Sequence, residues 1–216
     1  MQSVLSFNQV EFGWLKDKTD LKVKQISFQE SSKYFIYGPS GSGKSTLLNL
    51  LTGFIKPNKG EILLFSKDIT KLSDRQLNKF RATHMGFVFQ SFNLIPYLTA
   101  EENIKLPLKF LKKAPAFDLN KMVTKLNLHD CLKMKTELLS HGEQQRVALL
   151  KALISSPEIL VCDEPTSALD SEVESQFFEV LFSDLCKDMT IIFVSHNMSL
   201  KDKFDHQLSI EVFKDV

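Results

Sequence analysis

Residues 38–46 read Gly-Pro-Ser-Gly-Ser-Gly-Lys-Ser-Thr and place Gly38, Gly43, Lys44 and Ser45 in the fixed positions of G-x-x-x-x-G-K-[ST]. That spacing serves phosphate chemistry. Glycines let the backbone turn tightly and approach an anion that a Cβ would fend off. Backbone N–H groups of the loop and the positive end of a following helix then hold the charge. The candidate phosphate-binding residues are therefore the whole run, with Pro39, Ser40, Gly41, Ser42 and Thr46 joining the four fixed positions. Lys44 adds a cation for the β- and γ-phosphates, and the Ser45 hydroxyl is a hard ligand suited to Mg²⁺. Such a loop works only between a strand and a helix. The β-rich run Lys33-Tyr34-Phe35-Ile36-Tyr37 precedes it, and Thr46-Leu47-Leu48-Asn49-Leu50-Leu51 follows as a helix former.

A second group of acids fits the same chemistry. The apolar run Ile159-Leu160-Val161-Cys162 leads directly into Asp163-Glu164-Pro165. A strand ending in two acids delivers carboxylates to the carboxyl edge of a parallel sheet, where ligands sit in such folds. Asp163 is suited to hold Mg²⁺, directly or through water, and Glu164 to polarise a water attacking the γ-phosphate.

The elements around these residues read as alternating strands and helices. Strands are expected over residues 5–12, 22–28, 61–65, 85–89, 159–162 and 190–194, with a last one near 208–213. Pro57-Asn58-Lys59-Gly60 reads as a turn and Ser73-Asp74-Arg75 as the start of a polar helix. From 99 to about 139 the pattern is mostly helical, as in 118–128, where Leu119, Met122, Val123 and Leu126 share a face. Helices are also expected over 142–154, which is apolar nearly all round, over 171–186, and briefly after Asn197. The fold class is α/β: a core with a mainly parallel sheet, an N-terminal antiparallel β subdomain and an inserted helical subdomain. The core and β subdomain are expected over 1–90 and 156–216, and the helical subdomain over about 91–155.

Composition narrows the setting. The chain has 216 residues, enough for one domain with a buried core, and is 43% hydrophobic and 25% charged, the balance of a globular protein. Lys+Arg 27 against Asp+Glu 26 gives a net charge of +1, which argues against a dedicated nucleic-acid binder. Cys131, Cys162 and Cys186 lack metal-ligand spacing and read as free thiols of a reducing compartment. No secretory leader is expected in Met1-Gln2-Ser3-Val4-Leu5-Ser6-Phe7, and no apolar run is long enough to span a bilayer. The cluster Phe110-Leu111-Lys112-Lys113-Ala114-Pro115 reads as a solvated helix end.

Three further segments complete a pattern: Leu139-Ser140-His141-Gly142-Glu143-Gln144-Gln145-Arg146, Ser167-Ala168-Leu169-Asp170, and His196 closing Ile191-Ile192-Phe193-Val194-Ser195. With Gln90 after Phe87-Val88-Phe89, they resemble, over almost the whole chain, the motif set of ABC-type ATPases, the nucleotide-binding subunits of ABC transporters. That resemblance implies ATP and Mg²⁺ as ligands. It implies that Gln90 touches Mg²⁺ and the attacking water, and that His196 contacts the γ-phosphate. Ser140, Gly142 and Glu143 would meet ATP held by a second copy, so that two chains sandwich two nucleotides head to tail, with Asp170 at the seam. An aromatic near the N-terminus would stack on adenine, Trp14 fitting best and Phe12 being the alternative.

One position departs from the family pattern Leu-Ser-Gly-Gly-Gln/Glu, because His141 stands where the first glycine belongs. If that position needs a left-handed backbone, His costs about 1 kcal/mol or more and sandwich formation weakens.

Residues 86–108, from Gly86-Phe87-Val88-Phe89-Gln90 through Ser91-Phe92-Asn93-Leu94-Ile95-Pro96-Tyr97-Leu98 to Leu106-Pro107-Leu108, resemble the lipoprotein-release and macrolide-export branch. The expected partners are integral membrane permease subunits, docked on the apolar segment 90–98 and the helical lobe. The expected location is the cytoplasmic face of the cell membrane. The chain runs about 20 residues past His196, and no appended regulatory domain is expected. A signalling module that uses ATP to gate a membrane partner, as in the family's cell-division members, carries the same motifs and stands as the alternative.

Overall fold

The alternation of apolar and polar side chains near the N-terminus becomes an antiparallel sheet in the computed structural model, which describes residues 3–15, 19–167 and 169–214. Strands β1 (Ser3–Phe12), β2 (Leu21–Gln29), β4 (Lys59–Leu64) and β5 (Lys67–Asp68) pair in the order β2-β1-β4-β5. Leu5, Phe7, Val10 and Phe12 of β1 are buried while the intervening side chains are more exposed, apart from the bulged stretch around Gln9. The 57–60 turn is shorter than expected, because Lys59 and Gly60 already belong to β4. The register between β1 and β4 shifts between Asn8 and Glu11, with Gln9 at φ 54. Gly60, at φ +83, lies so close that an added Cβ would sit 2.2 Å from the Gln9 carbonyl oxygen. Only glycine fits opposite this bulge.

The chain divides into two units, residues 1–81 with 190–216, and residues 82–189. The first holds the antiparallel sheet, β3 (Lys33–Tyr37), helix α1 (Lys44–Leu51), most of α2 (Asp74–His84), β8 (Thr190–Ser195) and β9 (His206–Ser209). β3 pairs in parallel with β8 on one side and β9 on the other. All three β3 interior positions are buried, as a strand covered on both faces requires. Phe35, Phe193 and Phe204 pack as a cluster with centroids 5.1–6.2 Å apart. Each such buried aromatic contributes on the order of 2–3 kcal/mol relative to exposure. The last segment differs from expectation: the strand ends at Ser209, whose hydroxyl accepts from the Glu211 N–H, and residues 210–213 coil into a 3-10 turn.

The second unit contains β6 (Met85–Phe89) paired in parallel with β7 (Ile159–Asp163), and helices α3 (Ala100–Leu111), α4 (Leu119–Lys125), α5 (His141–Leu153) and α6 (Ser171–Leu181). α5 buries Val147, Ala148, Leu149, Leu150, Ala152 and Leu153, which accounts for its nearly continuous apolar sequence. Gly86 lets it approach β6, since a Cβ there would meet the Ala152 carbonyl at 2.4 Å. The helix expected over 171–186 stops earlier. Ser183 turns its hydroxyl onto the Val180 carbonyl at 2.7 Å, and residues 184–186 form a separate 3-10 turn.

Candidate active site

In the first unit the glycine loop links the end of β3 to α1. Each glycine answers a different demand. A Cβ at Gly38 would lie 2.4 Å from Ile210 Cγ2, so a side chain is shut out by packing. Gly41 has φ 72 and Gly43 has φ 97 in open surroundings, so there the backbone conformation decides. Gly43 is the N-cap of α1 and has no side chain to accept from the helix N–H groups; the first turn carries no acid. Helices α3, α4, α5 and α6 are each capped by Thr99, Asp118, Ser140 and Asp170. The open N-terminus of α1 is therefore specific to the loop, and it is the arrangement that accepts an anion.

The loop is unevenly buried. Pro39, Ser40 and Gly41 form its exposed crest, and Ser42 N closes the turn beneath them by donating to the Pro39 carbonyl at 3.3 Å. Ser40, like its neighbours Pro39 and Gly41, faces solvent, so what it can offer a phosphate is its place in the crest. Lys44 is 5% exposed, and its Nζ donates to the carbonyls of Gly38 at 3.0 Å and Pro39 at 2.9 Å. The cation is thus held in the loop itself. Ser42 Oγ is buried there without a hydrogen-bond partner. Residue Ser45 is exposed, and Thr46 is half-buried in the first turn of α1. The parallel register Tyr37↔Ser195 places His196 at the end of the strand next to the one that feeds the loop. Ser195 Oγ accepts from Asn197 N at 3.0 Å and so braces the backbone on either side of His196.

Trp14 is 63% exposed, whereas Phe12 is buried and meets the Trp14 ring edge-on at 5.2 Å. Of the two aromatics, only Trp14 offers a face to a ligand. Its backbone N–H is fixed by Asp20 Oδ2 at 3.0 Å. Phe12 pairs with Leu21, and Leu21 Cδ2 is the nearest atom to the missing Cβ of Gly43, at 3.9 Å. The strand end that carries Trp14 therefore adjoins the glycine loop.

In the second unit the register Phe89↔Asp163 sets Gln90 and Glu164 side by side, one residue beyond two neighbouring strands. Glu164 has φ 46, a left-handed backbone that non-glycine residues adopt at a cost of about 1–2 kcal/mol. Gln90 Nε2 donates to Ser167 Oγ at 3.4 Å, and Ser167 N donates to the Glu164 carbonyl at 3.3 Å. This leaves the Gln90 side-chain oxygen as the acceptor of its amide. Ser167, quoted with Asp170 in the sequence pattern but given no role there, makes a contact 77 residues away in sequence that spacing does not reveal.

Ser140 and Glu143 form a reciprocal cap on α5. The Ser140 hydroxyl and N–H both donate to Glu143 Oε2, at 2.7 and 2.8 Å, and Glu143 N donates back at 3.3 Å. These bonds, the Ser140 hydroxyl first, hold the Glu143 carboxyl below its ordinary range. A Cβ at Gly142 would press on Val173 Cγ2 of α6 at 3.2 Å. Asp170 caps α6 through Glu172 N and Val173 N at 3.0 and 2.9 Å, while Ala168 lies outside the described residues. His141 is not left-handed. It is the first residue of α5 and is absent from the positive-φ residues, so the backbone penalty expected for it does not arise.

Residues 21–167 match the ABC transporter family model. The chain is 41% identical over 177 residues to the ABC transporter ATP-binding protein YtrE of Bacillus subtilis, covering 81% of this chain and 76% of that one. It is 30% identical over 217 residues to the lipoprotein-releasing system ATP-binding protein LolD of Colwellia psychrerythraea, covering 97% and 84%. Among solved structures it resembles the dimeric post-hydrolysis state of the ATP-binding cassette MJ0796 bound to ADP and Pi, with TM-score 0.84, 33% identity and coverage of 95% and 93%. The chain belongs to the ABC transporter family. It is an ATP-binding subunit with the family's ATPase domain. Relatives at 30–41% identity carry different names, among them YtrE, YxdL and LolD.

For an ABC ATPase, the oxygen donors present suit Mg²⁺. No cluster of three or more His, Cys, Asp or Glu occurs among the described residues. Mg²⁺ is ordinarily held by one or two carboxylates together with substrate phosphates. Asp163 and Gln90 of the second unit offer a carboxylate and a neutral oxygen of the kind Mg²⁺ takes, and in the first unit the Ser45 hydroxyl offers another, while the Ser42 hydroxyl is buried in the glycine loop without a partner. Among the described residues, no helix is long and apolar enough to cross a membrane.

Proposed function

We propose that this chain binds ATP at residues 38–46, hydrolyses it, and thereby drives a membrane permease of the lipoprotein-release or macrolide-export kind. The observation that carries the nucleotide reading is the uncapped N-terminus of α1 behind two left-handed glycines, with Lys44 buried in the same loop. Trp14 stacks on adenine, the loop N–H groups from Ser40 onward and Lys44 hold the β- and γ-phosphates, and His196 contacts the γ-phosphate. Ser45, Gln90 and Asp163 are the residues that would hold Mg²⁺, which would supply charge withdrawal from the phosphate oxygens. Glu164 accepts the proton of the attacking water as its oxygen bonds to the γ-phosphorus and the bond to ADP breaks. The left-handed backbone at Glu164 supports this role, since strain of that kind persists where surroundings fix a functional group.

A second copy completes each site, its Ser140, Gly142 and Glu143 facing the nucleotide. The 33% identity to a cassette solved as a dimer with ADP and Pi supports this sandwich. The permease docks on the second unit, placing the chain at the cytoplasmic face of the membrane. Phe92 is not part of that surface, being 8% exposed. Tyr97 and Leu138 are 69% and 66% exposed, and their segments are joined by Glu137 N to the Pro96 carbonyl at 3.3 Å and Thr136 N to that of Leu98 at 3.0 Å. Paired exposed apolar groups with a polar rim mark an interaction site.

The test is Glu164→Gln. It should keep ATP affinity and lose turnover by about 100-fold or more. With ATP and Mg²⁺ it should pair, because ligand binding to the paired state favours that state. Near-normal turnover would remove Glu164 from its role, and light scattering showing a monomer at saturating ATP would refute the sandwich.

A further inference from the structure

His141 follows the cap residue Ser140 and precedes Gly142, so an imidazole stands at the rim of the turn that the sandwich reading turns toward a second copy's nucleotide. The residue is exposed, yet its ring is not adrift: it meets the Phe92 ring edge-on, with centroids 5.9 Å apart and planes at 81°. Phe92 is buried and left-handed at φ 59, and Asn93 beside it is left-handed at φ 48. Two consecutive non-glycine residues in that region persist only where neighbours over-determine them. Here Phe92 N donates to the Phe89 carbonyl at 3.0 Å, and Lys151, in the last turn of α5, donates to the Asn93 carbonyl at 2.7 Å. Burial also pulls the Lys151 ammonium below its ordinary pKa, as a cation drawn into the fold to make that bond. A strained turn stapled to α5 thus delivers one aromatic ring to the side chain that replaces the family's glycine.

We infer that Phe92 is a positioning residue that parks the His141 ring beside the signature turn, leaving the turn open to the nucleotide of the second copy. This rests on the sandwich reading above. An anion must come close to backbone N–H groups at a helix N-terminus, and a ring released from Phe92 is free to sweep that rim. Glycine needs no such parking, so Phe92 matters for pairing only because residue 141 is His. An edge-to-face contact shifts the balance between parked and released rings by about 2- to 10-fold.

The experiment is a rescue cycle in the Glu164→Gln chain, reading ATP·Mg²⁺-driven pairing by sedimentation over a range of protein concentrations. Phe92→Leu keeps the buried apolar volume but removes the ring, and should raise the dissociation constant of the pair about 4- to 100-fold, the per-chain factor entering once for each of the two signature turns. ATP binding to the single chain should not change. Adding His141→Gly to Phe92→Leu should restore pairing to the parent's level, which a merely structural defect would not allow. Phe92→Leu pairing like the parent, or a double variant that stays impaired, would overturn the inference. If neither the parent nor its His141→Gly variant pairs with ATP, the sandwich reading itself falls and takes this one with it.

Discussion

Replacing Gly43 by Ala isolates what the glycine loop requires of its backbone. Gly43 has φ 97 and ψ 9 at the N-cap of α1, and an added Cβ would meet only Leu21 Cδ2 at 3.9 Å, an ordinary contact. No clash is involved, so the whole penalty is conformational, about 1–2 kcal/mol for an L-residue held left-handed. The alanine variant can relax that backbone until ATP requires it, so the penalty appears in ATP affinity, as a loss of about 5- to 30-fold. Stability should respond less, because alanine also restricts the unfolded chain and returns about 0.4–1 kcal/mol. Gly43→Asn should recover part of the affinity, since Asn tolerates the left-handed region better than Ala does. Gly38→Ala should behave differently, as its Cβ would drive into Ile210 Cγ2 at 2.4 Å and disturb packing as well as binding. The assay is titration with a fluorescent ATP analogue beside thermal melting of each variant. Gly43→Ala affinity within twofold of the parent would refute the reasoning, and so would an Asn variant no better than Ala.

Two other outcomes follow from the second unit. Glu101 bonds to Lys105 at 2.6 Å and to Lys133, and these hydrogen bonds, that to Lys105 first, push its pKa down to about 2. A depressed carboxylate stabilises the fold above its unfolded pKa and ceases to as pH falls through the folded one, so stability should drop between about pH 4.5 and 2. After discounting for solvent screening, the part due to Glu101 is about 1 kcal/mol, and urea melts of Glu101→Gln should show a shallower acid loss than the parent; equal slopes would remove this ion pair from the account. Tyr97→Asp should abolish binding of a co-purified membrane partner and leave basal ATP turnover intact, with wild-type assembly in a pull-down showing that docking occurs elsewhere.

The strand, glycine loop and helix around residues 38–46 were legible because all their parts are local: nine consecutive residues, a strand before and a helix after. The place of Asp163 and Glu164 at the end of an apolar strand was legible for the same reason. What the loop's spacing did not show is how its residues divide the work, with Ser40 left in the exposed crest while Lys44 is drawn inside. Features set by contact between distant segments were not legible either. Nothing in Pro57-Asn58-Lys59-Gly60 shows that Gly60 lies against the Gln9 carbonyl, so a turn was expected where β4 already begins. Apolar spacing made residues 92–98 look like one surface, yet Phe92 is committed to the interior while Tyr97 stays outside. The residue at position 141 was suspected of strain because the family has glycine there, but the helix N-terminus gives His141 an ordinary backbone and moves the question to its side chain.

The same local device serves both units. In the first, the parallel pair β3 and β8 ends in register at Tyr37 and Ser195, and the next residues are Gly38 and His196. In the second, β6 and β7 end in register at Phe89 and Asp163, and the next residues are Gln90 and Glu164. Parallel pairing aligns carboxyl ends, so residues more than 70 positions apart in sequence become neighbours without any further specification. The strands can be almost wholly apolar because they need only set the register. On the proposed reading, chemistry falls to the residues at the strand ends, with Asp163 closing β7 and Glu164 just beyond it, where the ladder no longer constrains the backbone. That is why Glu164 can adopt φ 46 directly after a buried strand, and why a change in β7 that slips its register by one residue should silence hydrolysis without touching a single polar group.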